Sequence, residues 1–174
     1  PEWEPEAERR GLLNNKNTAD AVPEFFKNEN IEVFVRQGVY TKSEAIARAN
    51  IQLENYIKTI RIEALTMIDM ARGQIYPAVS AYIRELCESL SSKKALFDSL
   101  PCTAEISLIK TLATANEKML DGVNKLEADL ADMPEGEKEG SQRMAHVVVP
   151  DMEANRVYAD KMEKLCAKDR WPFP

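Results

Sequence analysis

Ile62-Glu63-Ala64-Leu65-Thr66-Met67-Ile68-Asp69-Met70-Ala71-Arg72-Gly73-Gln74-Ile75-Tyr76-Pro77-Ala78 reads as helix with a proline set inside it. Outward from this stretch, apolar residues recur in steps of three and four at Leu53, Ile57, Ile60, Ala64, Met67, Ala71, Ile75, Ala78, Tyr82 and Leu86. That period is one face of a helix. The run opens on Thr41-Lys42-Ser43-Glu44, a capping box in which the Thr41 hydroxyl and the Glu44 carboxylate satisfy each other's backbone amides. No stop signal follows before Ser91-Ser92. A helix over 41–90 would be roughly 75 Å long at 1.5 Å per residue, so it must bend or project. Pro77 predicts the bend, because it offers no amide proton to the Gly73 carbonyl and its ring presses on that same carbonyl. Gly73 lacks the side chain that would resist bending. Gly73 and Pro77 are therefore candidate structural residues, either kinking one continuous helix or joining two.

The flanking sequence is also helical. Glu4 to Arg10 forms a short charged helix ended by Gly11, and Leu12 to Asn17 is a loop. Thr18 is the expected N-cap of a helix reaching Phe26, unless Pro23 delays its start. Asn30 to Gln37 is a further helical run stopped by Gly38. Lys93 to Ser99 is expected to form a separate turn closed by Leu100-Pro101. Thr103 is expected to cap a long helix with Ile106, Ile109, Leu112, Ala113, Leu120, Val123, Leu126 and Leu130 on its apolar side. Pro134 to Gly140 reads as a polar, mobile loop, and Val147-Val148-Val149 before Pro150 as an extended connector. A last helix over 152–166 turns Met152, Tyr158, Ala159, Met162 and Leu165 inward. The fold class predicted is all-α: an antiparallel helical bundle with one long Pro-kinked helix and short N-terminal helices. Residues 1–40 form the short-helix segment and 41–174 the bundle, one domain overall.

Composition narrows function mainly by exclusion. The chain has 174 residues, 44% hydrophobic and 30% charged, with six glycines and a net charge of −6. An acidic chain lacks the basic face that nucleic acid requires. No apolar run approaches the ~20 residues of a membrane span, and the acidic start carries no secretory signal. Cys87, Cys102 and Cys166 are odd in number and unpaired by spacing, as in free thiols of a reducing cytoplasm. The chain starts without methionine, and both ends read as cut from a longer protein.

Little chemistry is encoded. No Gly-rich phosphate cradle is present, and His146 is the sole histidine, which reads as a surface or capping residue. Glu135, Glu137 and Glu139 read as a solvated acidic loop before a cation site. Glu63 and Asp69 belong to a polar helix face, with Glu63 pairing to Arg61 or to another chain. Met67, Met70, Met119, Met144 and Met162 read as core filler. Trp171-Pro172-Phe173-Pro174 holds two aromatics too apolar to leave in water, so Trp171 and Phe173 are candidate interface residues for a neighbouring surface. No catalytic, cofactor-binding or metal-binding residue is identified.

Three segments resemble the type III glutamine synthetases. They are Glu6-Ala7-Glu8-Arg9-Arg10-Gly11-Leu12-Leu13-Asn14 with the Thr18 to Pro23 stretch, Tyr56-Ile57-Lys58-Thr59-Ile60 running into Ile62 to Ala78, and Trp171-Pro172-Phe173-Pro174. The resemblance implies the C-terminal helical region of a ligase that joins ammonia to glutamate through γ-glutamyl phosphate. It implies ATP and Mg for the full-length enzyme, with their binding residues upstream of this chain. It also implies an upstream catalytic domain and neighbouring subunits of a homo-oligomer as partners, a cytoplasmic location, and a role in subunit packing or ring assembly. An independent helical interaction or scaffold module is the alternative that the long kinked helix alone would support.

Overall fold

The structure is a computed structural model, and it describes residues 2–97 and 99–174. Its elements are α1 (Trp3–Arg9), α2 (Thr18–Phe25), α3 (Asn28–Arg36), α4 (Lys42–Met70), α5 (Tyr76–Leu96), α6 (Thr103–Ala131), α7 (Glu137–Arg143) and α8 (Val149–Leu165). Two five-residue π-turns, Ala71–Ile75 and Met144–Val148, join α4 to α5 and α7 to α8 without a break. The fold is all-helical, with no strand among the described residues. The chain divides into two compact units, Pro1–Arg61 with Met133–Val147, and Ile62–Asp132 with Val148–Pro174.

In the first unit the helix ends follow from single residues. Gly11 and Gly38 adopt φ of 75° and 67°, the left-handed conformation that glycine reaches without strain. Each closes a Schellman motif. The Leu12 amide donates to the Ala7 carbonyl at 2.9 Å, and the Val39 amide to the Phe34 carbonyl at 2.9 Å. The capping box forms as read: the Thr41 amide donates to Glu44 Oε2 at 2.8 Å, and the Glu44 amide to Thr41 Oγ1 at 3.2 Å. Asn17, not Thr18, caps α2, accepting from the Asp20 amide at 2.9 Å. Asparagine presents its carbonyl at the same reach as a hydroxyl, so the earlier residue takes the role. Val22, Ala49 and Leu53 form a small core with Phe26 packed against it. Residues 137–143 are helix rather than loop, and Gly140 is buried, its Cα side close to Ile57.

The second unit is an antiparallel assembly around α6. Arg72 reaches Glu127, Ser80 reaches Asn116 and Lys93 reaches Glu105, so the π-turn and α5 run against α6 in reverse order. Lys125 reaches Asp151, and the Lys118 ammonium lies 6.0 Å from the Tyr158 ring, so α8 is antiparallel to α6 as well. Leu112, Met119, Val123, Leu126, Val79, Val148 and Met162 are fully buried among them. Burying a side chain of this size contributes about 1.5–3 kcal/mol.

Several local expectations are corrected. Lys93 to Leu96 is the last turn of α5 and not a separate turn, and Asp98 of that segment lies outside the described residues. Two serines do not stop a helix whose polar face already points to water, and the Ser92 hydroxyl donates to the Glu88 carbonyl at 3.0 Å. Cys102 rather than Thr103 stands at the N-cap of α6, with no side-chain cap bond. Ala113 is exposed, while Ala115, Asn116 and Met119 turn inward. Along α4 and α5 the buried stripe runs Ala64, Ile68, Ala71, Ile75, Val79, so Met67 and Ala78 sit half-buried at its edge. Val147-Val148-Val149 is helical, not extended. Val148 is fully buried, and core packing outweighs the modest helix penalty of β-branched residues.

Candidate functional site

Pro77 sits in an uninterrupted helical path, so of the two readings the continuous helix is the one observed. The π-turn before it explains how. The Tyr76 amide bonds back five residues to the Ala71 carbonyl, which opens the backbone ladder by one residue. Pro77 follows at once, where a widened turn relieves the ring's pressure on the preceding carbonyls. Gly73 is exposed within the turn, and a Cβ built there meets nothing within 4 Å.

The turn is braced onto α6. The Arg72 guanidinium donates to both Glu127 carboxylate oxygens, at 3.0 and 2.6 Å, and to Asn124 Oδ1 at 2.8 Å. This fork matches the carboxylate in two parallel bonds. The bonded guanidinium pulls the Glu127 pKa below its ordinary value, and the carboxylate raises that of Arg72. One turn further, buried Asn116 donates to Ser80 Oγ at 3.1 Å and to the Tyr76 carbonyl at 3.4 Å. On the opposite side of α6, Lys125 bonds Asp151 at 2.6 Å, one residue after Pro150. Residues 124–127 of α6 thus bond both to the π-turn before Pro77 and to the residue after Pro150.

Gly122 and Asn155 make the close approach between α6 and α8. Asn155 is buried, and a Cβ at Gly122 would lie 2.6 Å from its Oδ1. Glycine is required there because any side chain would displace the carboxamide. Sequence reading missed this pair. The signal was available: Met144, Val148, Asn155 and Met162 fall at helical spacing across Pro150.

An apolar groove of about 410 Å³ lies within the second unit. Ile62, Met67 and Met70 form one wall, Met119 the floor, and Asn155, Arg156 and Ala159 the other wall. Of the methionines read as core filler, Met119 is buried, while Met67 and Met70 are half-buried and line the groove instead. Glu63 stands on the rim without an ion pair among the described residues; it does not meet Arg61.

Trp171 and Phe173 pack edge to face with ring centroids 6.2 Å apart, and both stay half-buried. The Arg170 guanidinium ties this tail to Glu85 at 2.9 Å. In the first unit, Phe25, Phe34 and Tyr40 form an aromatic chain with centroids 5.1 and 5.8 Å apart. Phe25, Val33, Val35 and Val39 leave substantial apolar surface exposed beside it. His146 bonds Asp20 at 3.0 Å, tying the second π-turn to α2 and holding the Asp20 pKa below its ordinary value. Cys87 is exposed, Cys102 buried and Cys166 half-buried, where burial pushes the thiol pKa up. Among the described residues no three His, Cys, Asp or Glu side chains are grouped to hold a metal ion, and no helix is long and apolar enough to cross a membrane.

The described residues form an array of braced helices with exposed apolar faces, and comparisons with known proteins give its family. A sequence model of the glutamine synthetase C-terminal domain matches residues 1–94, more than half of the chain. The chain belongs to the glutamine synthetase C-terminal domain family. It is 35% identical over 99% of its length to a glutamine synthetase of Butyrivibrio fibrisolvens, covering 25% of that protein. It is 26% identical over 99% of its length to a glutamine synthetase of Bacteroides fragilis, covering 25%. It is 25% identical over 99% of its length to the type-3 glutamine synthetase of Dictyostelium discoideum, covering 24%. The chain therefore spans about a quarter of the length of these curated relatives.

Proposed function

We propose that the chain is the non-catalytic C-terminal domain of a glutamate–ammonia ligase and serves subunit packing or ring assembly in that enzyme. The observation that carries this reading is end-to-end similarity to a quarter of proteins named glutamine synthetase. Ligation of ammonia to glutamate, with ATP and Mg, then belongs to the polypeptide outside this chain. The residues here do not fit either group, since neither a phosphate cradle nor a metal-holding side-chain cluster is present among the described residues. The packing role is supported by the apolar surface around Phe25, Val33, Val35 and Val39 and by the half-buried Trp171 and Phe173. Such surface is costly in water and gains when covered by an upstream catalytic domain or a neighbouring subunit. A cytoplasmic location accords with free cysteines.

The test is to assay glutamine formation and measure particle mass for the full-length enzyme and for Trp171→Ala and Phe25→Ser variants within it. Reduced particle mass with intact per-subunit chemistry supports the packing role. Unchanged mass in both variants removes it.

A further inference from the structure

We infer that the groove between α4 and α8 is the seat of an amphipathic helix bearing a basic residue, contributed by the part of the same ligase polypeptide outside this chain. The inference rests on the reading that the chain is the C-terminal domain of a longer enzyme. Its first support is shape. The wall residues run from Ile62 to Ile75, roughly 20 Å at 1.5 Å per residue, the length of a helix of three to four turns. The floor is Met119 of α6, so the slot has the form left by an absent fourth helix of a bundle.

The second support is that the groove offers a small ligand almost no polar fixing point. The Thr66 hydroxyl is spent on the Ile62 carbonyl at 2.8 Å and Arg156 is paired with Asp160 at 3.5 Å, which leaves Asn155 Oδ1, buried against Gly122 without a hydrogen-bond partner, as a single inward acceptor rather than a converging set. Small-molecule pockets fix orientation with several converging polar groups. A helix needs only an apolar stripe and a matching rim. The third support is charge. Glu63 is the rim carboxylate without a partner among the described residues, and the chain carries a net charge of −6. A Lys or Arg on the incoming helix completes it. Finally, the relatives carry about three quarters of their length outside the matched region, which supplies the occupant without a foreign protein.

The test uses the full-length enzyme with a photo-crosslinking benzoylphenylalanine at Thr66, and separately at Ile62, which is 65% exposed and tolerates a large side chain. Cross-linked peptides are identified by mass spectrometry, and glutamine formation is assayed on the same preparation. The expected product joins the groove to an upstream helical segment with apolar residues three and four apart and a nearby Lys or Arg. Glu63→Lys is expected to lower its yield about fivefold, the ratio a surface ion pair can supply. Cross-links to residues 1–174 of a second copy, no cross-link in an active enzyme, or a yield indifferent to Glu63→Lys would each overturn the proposal. A full-length preparation that forms no glutamine removes the ligase reading itself and the proposal with it.

Discussion

Pro77 and Pro150 stand in the same relation to a π-turn: each is the second residue after one, at Ala71–Ile75 and at Met144–Val148. Each lies within a helical path that continues on both sides, and each has an ion pair to residues 124–127 of α6 close by. The extra residue in the turn separates the proline ring from the carbonyls it would otherwise strike.

The first prediction follows from that accommodation. A proline in a helix interior ordinarily costs about 3 kcal/mol. Because the π-turn already relieves the clash, Pro77→Ala is expected to change unfolding free energy by less than about 1 kcal/mol. Urea denaturation of parent and variant measures it. A gain near the full proline penalty would mean that the turn relieves nothing.

Two glycines should respond in opposite directions. Gly73→Ala meets open space on a helical backbone, so stability is expected to be unchanged or to rise by roughly 0.5–1 kcal/mol. Gly122→Ala places a methyl 2.6 Å from Asn155 Oδ1 and is expected to cost about 1–3 kcal/mol. Thermal unfolding of both variants decides. Equal effects at the two sites would contradict the close approach of α6 and α8.

Half of this logic was legible in the sequence. The capping box at Thr41 and the stops at Gly11 and Gly38 each depend on a local rule, and each appears in the structure, as does the helix continuing through Pro77. Neither π-turn was read; at the second, three consecutive valines before Pro150 favour an extended strand locally. Burial of Val148 and Met144 decides the matter, and that is a long-range effect. The same limit hid Asn155 and the groove, since a polar residue on an apolar stripe has meaning only once Gly122 faces it. Val79 and Ile68 were missed for a simpler reason. The face was extrapolated from Leu53 in steps of three and four, but the buried line steps four from Ala64 to Ile68 rather than three to Met67, and four from Ile75 to Val79 rather than three to Ala78.

Acid should weaken the braces of α6. The pKa of Glu127 is held below its ordinary value chiefly by the Arg72 hydrogen bonds, and that of Glu105 chiefly by Lys93. A carboxylate whose folded pKa is depressed contributes stability above its unfolded pKa and loses it as pH falls through the folded one. The melting temperature is therefore expected to hold above about pH 5 and to fall below about pH 4.5. Glu127→Gln lacks the titrating group, so its melting temperature should fall less over the same interval. An identical acid profile in parent and variant would show that the Arg72 pair adds nothing to stability.

Shortening the core should be felt most at the bundle axis. Met119 is 1% exposed and lies beneath the groove, so Met119→Ala is expected to cost about 2–5 kcal/mol. Val157→Ala, at a position 62% exposed, should stay within about 0.5 kcal/mol. Chemical denaturation of the two variants gives the contrast, and a mild Met119→Ala would mean that α5, α6 and α8 do not share one core.

The most direct test of the account is a glutamine-formation assay on two proteins: the full-length polypeptide that carries this sequence, and residues 1–174 alone. With glutamate, ammonia, ATP and Mg supplied, the full-length polypeptide is predicted to form glutamine and the isolated chain to form none. Glutamine formation by the isolated chain, or none by a folded full-length polypeptide, would contradict the assignment of this chain as the silent C-terminal domain of a ligase.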